Sequence, residues 1–153
     1  MAEFQEALQQ GQIVEKIFLN KLRKKYPKSM LIEGSFKDFD IYVPESDKKY
    51  EVKSDIKSNH TGNYLIEVEH YNKPSALITT KADYWILYDE KYWVCVRPDD
   101  LKNLILLNGY RQVKTTGKGD NHYKLCYLIP KGDIQNISKI VECKDSEKIN
   151  KFF

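Results

Sequence analysis

A chain of 153 residues, 41% of them hydrophobic, can bury one real core and is too short to expect two, so residues 1–153 are read as a single domain. No apolar run approaches the ~20 residues that span a bilayer, and no basic segment followed by an apolar stretch and cleavage site opens the chain; a cytoplasmic, intracellular protein without a membrane partner is therefore expected. A net charge of +3 admits a polyanionic partner without requiring one, while Cys95, Cys126 and Cys143, odd in number and widely spaced, argue for reduced core thiols over a disulfide framework or a zinc knuckle.

Apolar residues at Phe4, Ala7, Leu8, Val14, Ile17, Phe18 and Leu22 recur at helical spacing, so an amphipathic helix is predicted over about residues 3–26, stopped by Pro27. At about 100° per residue, Glu15 falls on nearly the azimuth of Phe4, Leu8 and Leu22, toward one edge of the buried stripe. A carboxylate there snorkels to solvent, pairs with a lysine, or serves a site. Strands are predicted next at residues 30–33, 39–43, 50–54, 64–71, 84–88 and 92–96, separated by breakers such as Asn59-His60-Thr61-Gly62-Asn63 and Lys73-Pro74-Ser75. A short helix is expected within residues 75–82. A longer one should start at Pro98, with Asp99 and Asp100 at its positive end, Leu101, Leu104, Ile105 and Leu107 on its buried side, and Gly109 closing it. A strand at residues 125–129 and an amphipathic stretch at 134–141 precede a lysine-rich tail. This order predicts an α/β fold, a mixed sheet flanked by helices.

The polar residues of two of these strands carry the chemistry. Side chains alternate along a strand, so Glu51 and Lys53 share a sheet face, Val52 points into the core, and Asp40 heads the neighbouring strand across the turn of residues 44–49. Two acids and a lysine converging on one spot suit a divalent metal and a phosphodiester; the competing reading is a surface ion-pair cluster. Glu-x-Lys alone is a weak motif, and Glu142-Cys143-Lys144, with Asp133 upstream, repeats it. That copy is set aside because Ile134, Ile137, Ile140 and Val141 are spaced for a helix. The first copy stands in richer surroundings: a Gly34-Ser35 bend, Asp40 opening an apolar strand, a turn, then Glu51-Val52-Lys53, all behind a helix that carries Glu15.

Over about residues 15–96 this arrangement resembles the PD-(D/E)XK nuclease superfamily, the restriction-endonuclease-like fold, and within it the small archaeal Holliday junction resolvases and phage-encoded nucleases. The resemblance implies a mixed β-sheet flanked by α-helices, with catalytic residues Glu15 from the first helix, Asp40 from the second strand, and Glu51 and Lys53 from the third. Phe39 stands where the superfamily's nominal proline precedes the aspartate. The resemblance further implies that Asp40, Glu51 and the backbone carbonyl of Val52 bind Mg²⁺ or Mn²⁺, that Glu15 orients water or a second ion, and that Lys53 holds or helps deprotonate the attacking water. The expected function is that of a metal-dependent DNA endonuclease, a Mg²⁺- or Mn²⁺-dependent deoxyribonuclease. Its substrates would be Holliday junctions, branched or single-stranded DNA, cut with structure-directed or weak sequence specificity; a phage origin rests on the same resemblance.

Residues 73–85 are loosely similar to a stretch of phage nuclease-like proteins, which implies that Thr79, Thr80 and Lys81 lie near substrate phosphates. Two loops supply further candidate DNA contacts: residues 53–63, with Lys57 and His60, and residues 111–124, with Arg111, Lys114, Lys118 and His122. Gly117-Lys118-Gly119 is no P-loop, since no Gly-Lys-Ser/Thr occurs. Glu67 and Glu69 face the same way, toward either the metal site or solvent. A junction-cleaving enzyme must make paired incisions and so implies a homodimer, for which the hairpin at residues 84–96 is a candidate surface. Competing readings are a non-catalytic nucleic-acid-binding protein on the same fold, and an RNA-directed or purely structural component.

Overall fold

Strands β6 (Tyr84–Tyr88) and β7 (Tyr92–Val96) bury residues of both alternation phases, as strands do when a sheet is covered on both faces. The computed structural model describes residues 2–34, 37–116 and 122–149, of which 2–7 in their backbone only. In it these strands belong to a six-stranded sheet with β1 (Met30–Leu31), β2 (Ile41–Val43), β3 (Lys48–Ser54) and β10 (Lys139–Glu142), in the order β1-β2-β3-β6-β7-β10. The β3–β6 pair is parallel and the other pairs are antiparallel, so the sheet is mixed.

The two faces have different covers. Helix α1 (Ala2–Arg23) lays Val14, Phe18 and Leu19 on Ile41, Val43, Val52, Ile86 and Tyr88. On the other face, Trp85, Leu87, Val94 and Val96 meet a second, four-stranded antiparallel sheet of β4 (Asn63–His70), β5 (Lys73–Pro74), β8 (Arg111–Thr115) and β9 (Lys124–Pro130), ordered β5-β4-β9-β8. Helices α3 (Pro98–Leu107) and α4 (Lys131–Gln135) add Leu101 and Ile134 to this second core, and the short α2 (Ser58–Thr61) links β3 to β4. Three layers result, helix, mixed sheet and antiparallel sheet. All three cysteines are free, with Cys126 and Cys143 buried and Cys95 half-buried. Among the described residues, no helix is long and apolar enough to cross a membrane.

Several expectations are corrected. The face of the mixed sheet opposite α1 is covered by a second sheet, which was not expected, as well as by helices: Tyr64, Ile66 and Val68 alternate as a half-buried strand does, and Leu101 of α3 and Ile134 of α4 join the same core. Residues 111–115, expected as part of a basic loop, form β8 because β9 offers them an antiparallel ladder from Arg111↔Leu128 to Thr115↔Lys124. No helix forms within residues 75–82, where the amides of Ser75 and Leu77 donate to the carbonyls of Val68 and Glu67 on β4 and turns follow. The stretch 134–141 splits: α4 ends at Gln135, and residues 139–142 pair with β7 as an edge strand, tertiary pairing overriding a helical period. Glu142-Cys143-Lys144 thus lies at the edge opposite β1 and β2. In α3, Leu101 is fully buried and Leu107 is 83% exposed, because six residues at about 100° each carry Leu107 roughly 120° away from Leu101. Leu8, expected on the buried stripe of α1, is 53% exposed.

Candidate active site

The site follows from a mismatch in strand length. Ile41 pairs with Tyr50, so β2 has no residue opposite the last part of β3, and the Asp40 carboxylate fills the gap. The Asp40 amide donates to the Tyr50 carbonyl at 2.9 Å, and the Val52 amide donates to Asp40 Oδ2 at 2.7 Å. The N–H and C=O of one strand residue point the same way, so the Val52 carbonyl is also directed toward Asp40, off the ladder to β6. The Val52 side chain enters the α1 core, as expected. Glu51 and Lys53 project from the opposite face, where Lys53 Nζ lies 3.9 Å from Glu51 Oε2 and 5.4 Å from the centre of the Trp85 ring.

Asp40 is 4% exposed and has Glu15 on one side and Glu51 on the other. Burial pushes the Glu51 carboxyl up to about 8; Lys53 opposes that rise, while the charge of Asp40 and a hydrogen bond to it add to it. Burial, then Asp40, also raises Glu15, against the pull of Lys37. Lys37 is the residue that sequence reasoning did not find. Its Nζ sits 2.9 Å from Asp40 Oδ1 and 3.4 Å from Glu15 Oε1, and these partners hold the ammonium above the usual lysine range although burial alone would lower it. Of the alternatives for Glu15, pairing with a lysine is the one observed.

Glu15, Asp40, Glu51 and Lys53 are therefore drawn from α1, the start of β2 and β3 into one cluster. Among the described residues, no group of three or more His, Cys, Asp or Glu side chains is pre-arranged around one metal position, and the Lys37 nitrogen stands between Asp40 and Glu15. The donor chemistry nonetheless fits a hard cation. Carboxylate oxygens of Asp40 and Glu51 and the Val52 carbonyl are the ligand types Mg²⁺ and Mn²⁺ take, and Glu15 and Glu51 are raised first by burial and then by the neighbouring Asp40 charge.

The expected nucleic-acid contacts are spread more widely. Lys57 and His60 are exposed at the start and end of α2, and Thr79 and Lys81 are exposed in the loop before β6. Thr80 acts within the fold, because its hydroxyl accepts from Trp85 Nε1 at 3.1 Å and from the Ala82 amide at 3.2 Å, fastening the loop to the ring beneath Lys53. Arg111 and Lys114 are exposed on β8, and Lys114 Nζ lies 5.9 Å from the Tyr123 ring centre. Lys118, with Gly117 and Gly119, and Ser35 of the expected bend lie outside the described residues. Glu67 accepts from Ser75 Oγ at 2.7 Å and pairs with Lys124 at 3.7 Å on the second sheet, and a bulge separates it from Glu69.

The chain matches no protein-family model, no curated protein and no solved structure.

Proposed function

We propose that the protein is a metal-dependent DNA endonuclease of the PD-(D/E)XK kind, hydrolysing phosphodiester bonds in branched or single-stranded DNA. The observation that carries this reading is the convergence of Glu15, Asp40, Glu51 and Lys53 around a carboxylate that is 4% exposed. A surface ion-pair cluster would leave its acids in solvent with near-ordinary titration; here Glu51 is displaced to about 8. The order of elements supports the same reading: a helix bearing one acid, three antiparallel strands bearing two acids and a lysine, then a crossover into the parallel strand β6. The crossover here runs through the second sheet.

The residues divide the work. Asp40, held by the Val52 amide, Glu51 and the Val52 carbonyl would hold the cation, and Glu15 would orient a water beside it. When bound, Mg²⁺ or Mn²⁺ supplies a lowered water pKa and neutralises charge on the scissile phosphate. Lys53, 45% exposed along its side chain, can reach a phosphate from above Trp85 and adds positive charge where negative charge develops. Lys37 must give up its place between Asp40 and Glu15 when a divalent ion enters. That ammonium is also the one observation in favour of the second reading, a non-catalytic nucleic-acid-binding protein, because it already compensates part of the acidic charge.

The test is incubation with supercoiled plasmid, single-stranded DNA, a four-way junction and a matched RNA, in Mg²⁺, Mn²⁺ or EDTA, beside Lys53→Ala and Asp40→Asn. Metal-dependent DNA cleavage lost in both variants is the expected result. Intact substrates in every metal, with retarded bands on a gel, would install the binding protein in its place. A junction preference would bring with it a homodimer, since paired incisions need two sites.

A further inference from the structure

On the α1 face of the mixed sheet, at the end away from Lys53, lies an open cavity of about 480 Å³. Its position follows from strand alternation. Lys48 and Tyr50 share the face of Val52; Tyr84 pairs with Tyr50, Arg97 follows Cys95 by two, and Lys139 pairs with Cys95. None of Glu15, Lys37, Asp40, Glu51 and Lys53 lines it, so this cavity is separate from the acidic cluster. Tyr26, in the turn after α1, closes one side.

The lining is rich in donors without partners. Among the described residues, Lys48, Arg97 and Lys139 make no ion pair, and the hydroxyls of Tyr26, Tyr50 and Tyr84 make no hydrogen bond within the protein. Asp100 is the one carboxylate in the lining. The Tyr50 and Tyr84 rings stand 5.4 Å apart and 31° from parallel, a half-buried aromatic wall, and burial pushes the Tyr50 phenol up to about 12, which keeps it a neutral donor. The volume falls within the roughly 300–1,000 Å³ of small-ligand sites. Lys48, Tyr84 and Arg97 also line a neighbouring polar cavity of about 310 Å³, whose lining adds Lys102 and the carboxylates of Asp83 and Asp99.

We propose that this cleft binds a nucleobase together with its phosphate, the base against the tyrosine wall and the phosphate on Arg97, Lys48 and Lys139. Arginine supplies a planar fork suited to phosphate oxygens, the lysines add point charges, and every base presents a flat face that tyrosine can stack on. The chemistry is common to a free nucleotide and to the end of a nucleic-acid strand. It is independent of whether the acidic cluster hydrolyses anything.

The experiment is calorimetric titration in EDTA with dAMP, deoxyadenosine, inorganic phosphate and a short 5′-phosphorylated oligodeoxynucleotide. The proteins are the parent, Arg97→Gln, Lys139→Gln, Tyr84→Leu and Asp40→Asn, each with a thermal melt as a check on folding. dAMP should bind the parent and Asp40→Asn alike, deoxyadenosine and phosphate more weakly, and each cleft variant should lose about tenfold, the worth of one charge-assisted hydrogen bond or one stack. A 5′-phosphorylated strand that binds more tightly than dAMP with the same variant dependence identifies a strand end as the ligand; dAMP binding alone identifies a free nucleotide. Absence of dAMP and oligonucleotide binding at millimolar concentration, or binding indifferent to Arg97→Gln and Tyr84→Leu in folded protein, overturns the proposal.

Discussion

Replacing Glu51 by glutamine should make the metal-free protein more stable, and only above mildly acidic pH. An unfolded Glu51 titrates near 4.5 and the folded one at about 8. Below the first value both states hold the proton and the carboxyl contributes no difference. Between the two, the unfolded chain releases a proton that the folded protein keeps, so the folded state binds more protons and stability falls as pH rises. Above about 8 both states are ionised and the whole penalty is present.

A displacement from 4.5 to about 8, at about 1.4 kcal/mol per unit, bounds the penalty at about 5 kcal/mol. The Glu51 side chain is 18% exposed and Lys53 45%, so solvent screens part of this and roughly 2–4 kcal/mol is expected. Glutamine keeps the shape, carries no charge, and can donate to Asp40 as the protonated carboxyl does. For a chain of this size about 1 kcal/mol moves Tm by about 2–4 °C, so melts in EDTA should show a gain of roughly 5–15 °C at about pH 9 and almost none at about pH 5. A loss at the higher pH, or an equal shift at both, would refute the view that Glu51 is an uncompensated acid. Adding Mn²⁺ should narrow the gap by stabilising the parent alone.

Lys37→Met should lower the stability of the metal-free protein by about 1–3 kcal/mol, less than a fully buried pair because the lysine is 24% exposed. Mn²⁺ should then raise its Tm by more than it raises the parent's; an unchanged melt in EDTA would mean that the ammonium contributes nothing. Lys131→Met removes the cation 2.6 Å from the fully buried Asp89 and 2.7 Å from Asn59 Oδ1. Since Asp89 keeps donors from the Lys91 and Tyr92 amides and the Tyr64 hydroxyl, the loss should sit near the lower end of about 3–5 kcal/mol, checked by urea unfolding at neutral pH, with no loss of midpoint counting against it.

What could be read in advance depended on whether a residue's direction is set by a period or by its neighbours. Asp40, Glu51, Val52 and Lys53 lie in or beside two short strands joined by a turn, so alternation alone orients them, and the register Ile41↔Tyr50 brings them together. Glu15 was legible for the same reason on a period of 3.6. Lys37 lies in the irregular stretch between β1 and β2, where no period assigns a direction; the only sign was its place three residues before a buried aspartate. Strand β10 was hidden differently: residues 134–141 carry a helical spacing that is satisfied only as far as Gln135, after which the free edge of β7 decides. The second sheet was missed as a layer because only β4 and β9 of its four strands alternate clearly enough to be predicted, and alternation says which face of a strand is apolar without saying against what it packs. The same limit bears on function. Alternation could bring the acids to one spot, but only the depth of Asp40 shows how far burial penalises the charge of its neighbour Glu51, and a divalent cation would offset that penalty by pairing with the ionised carboxylates.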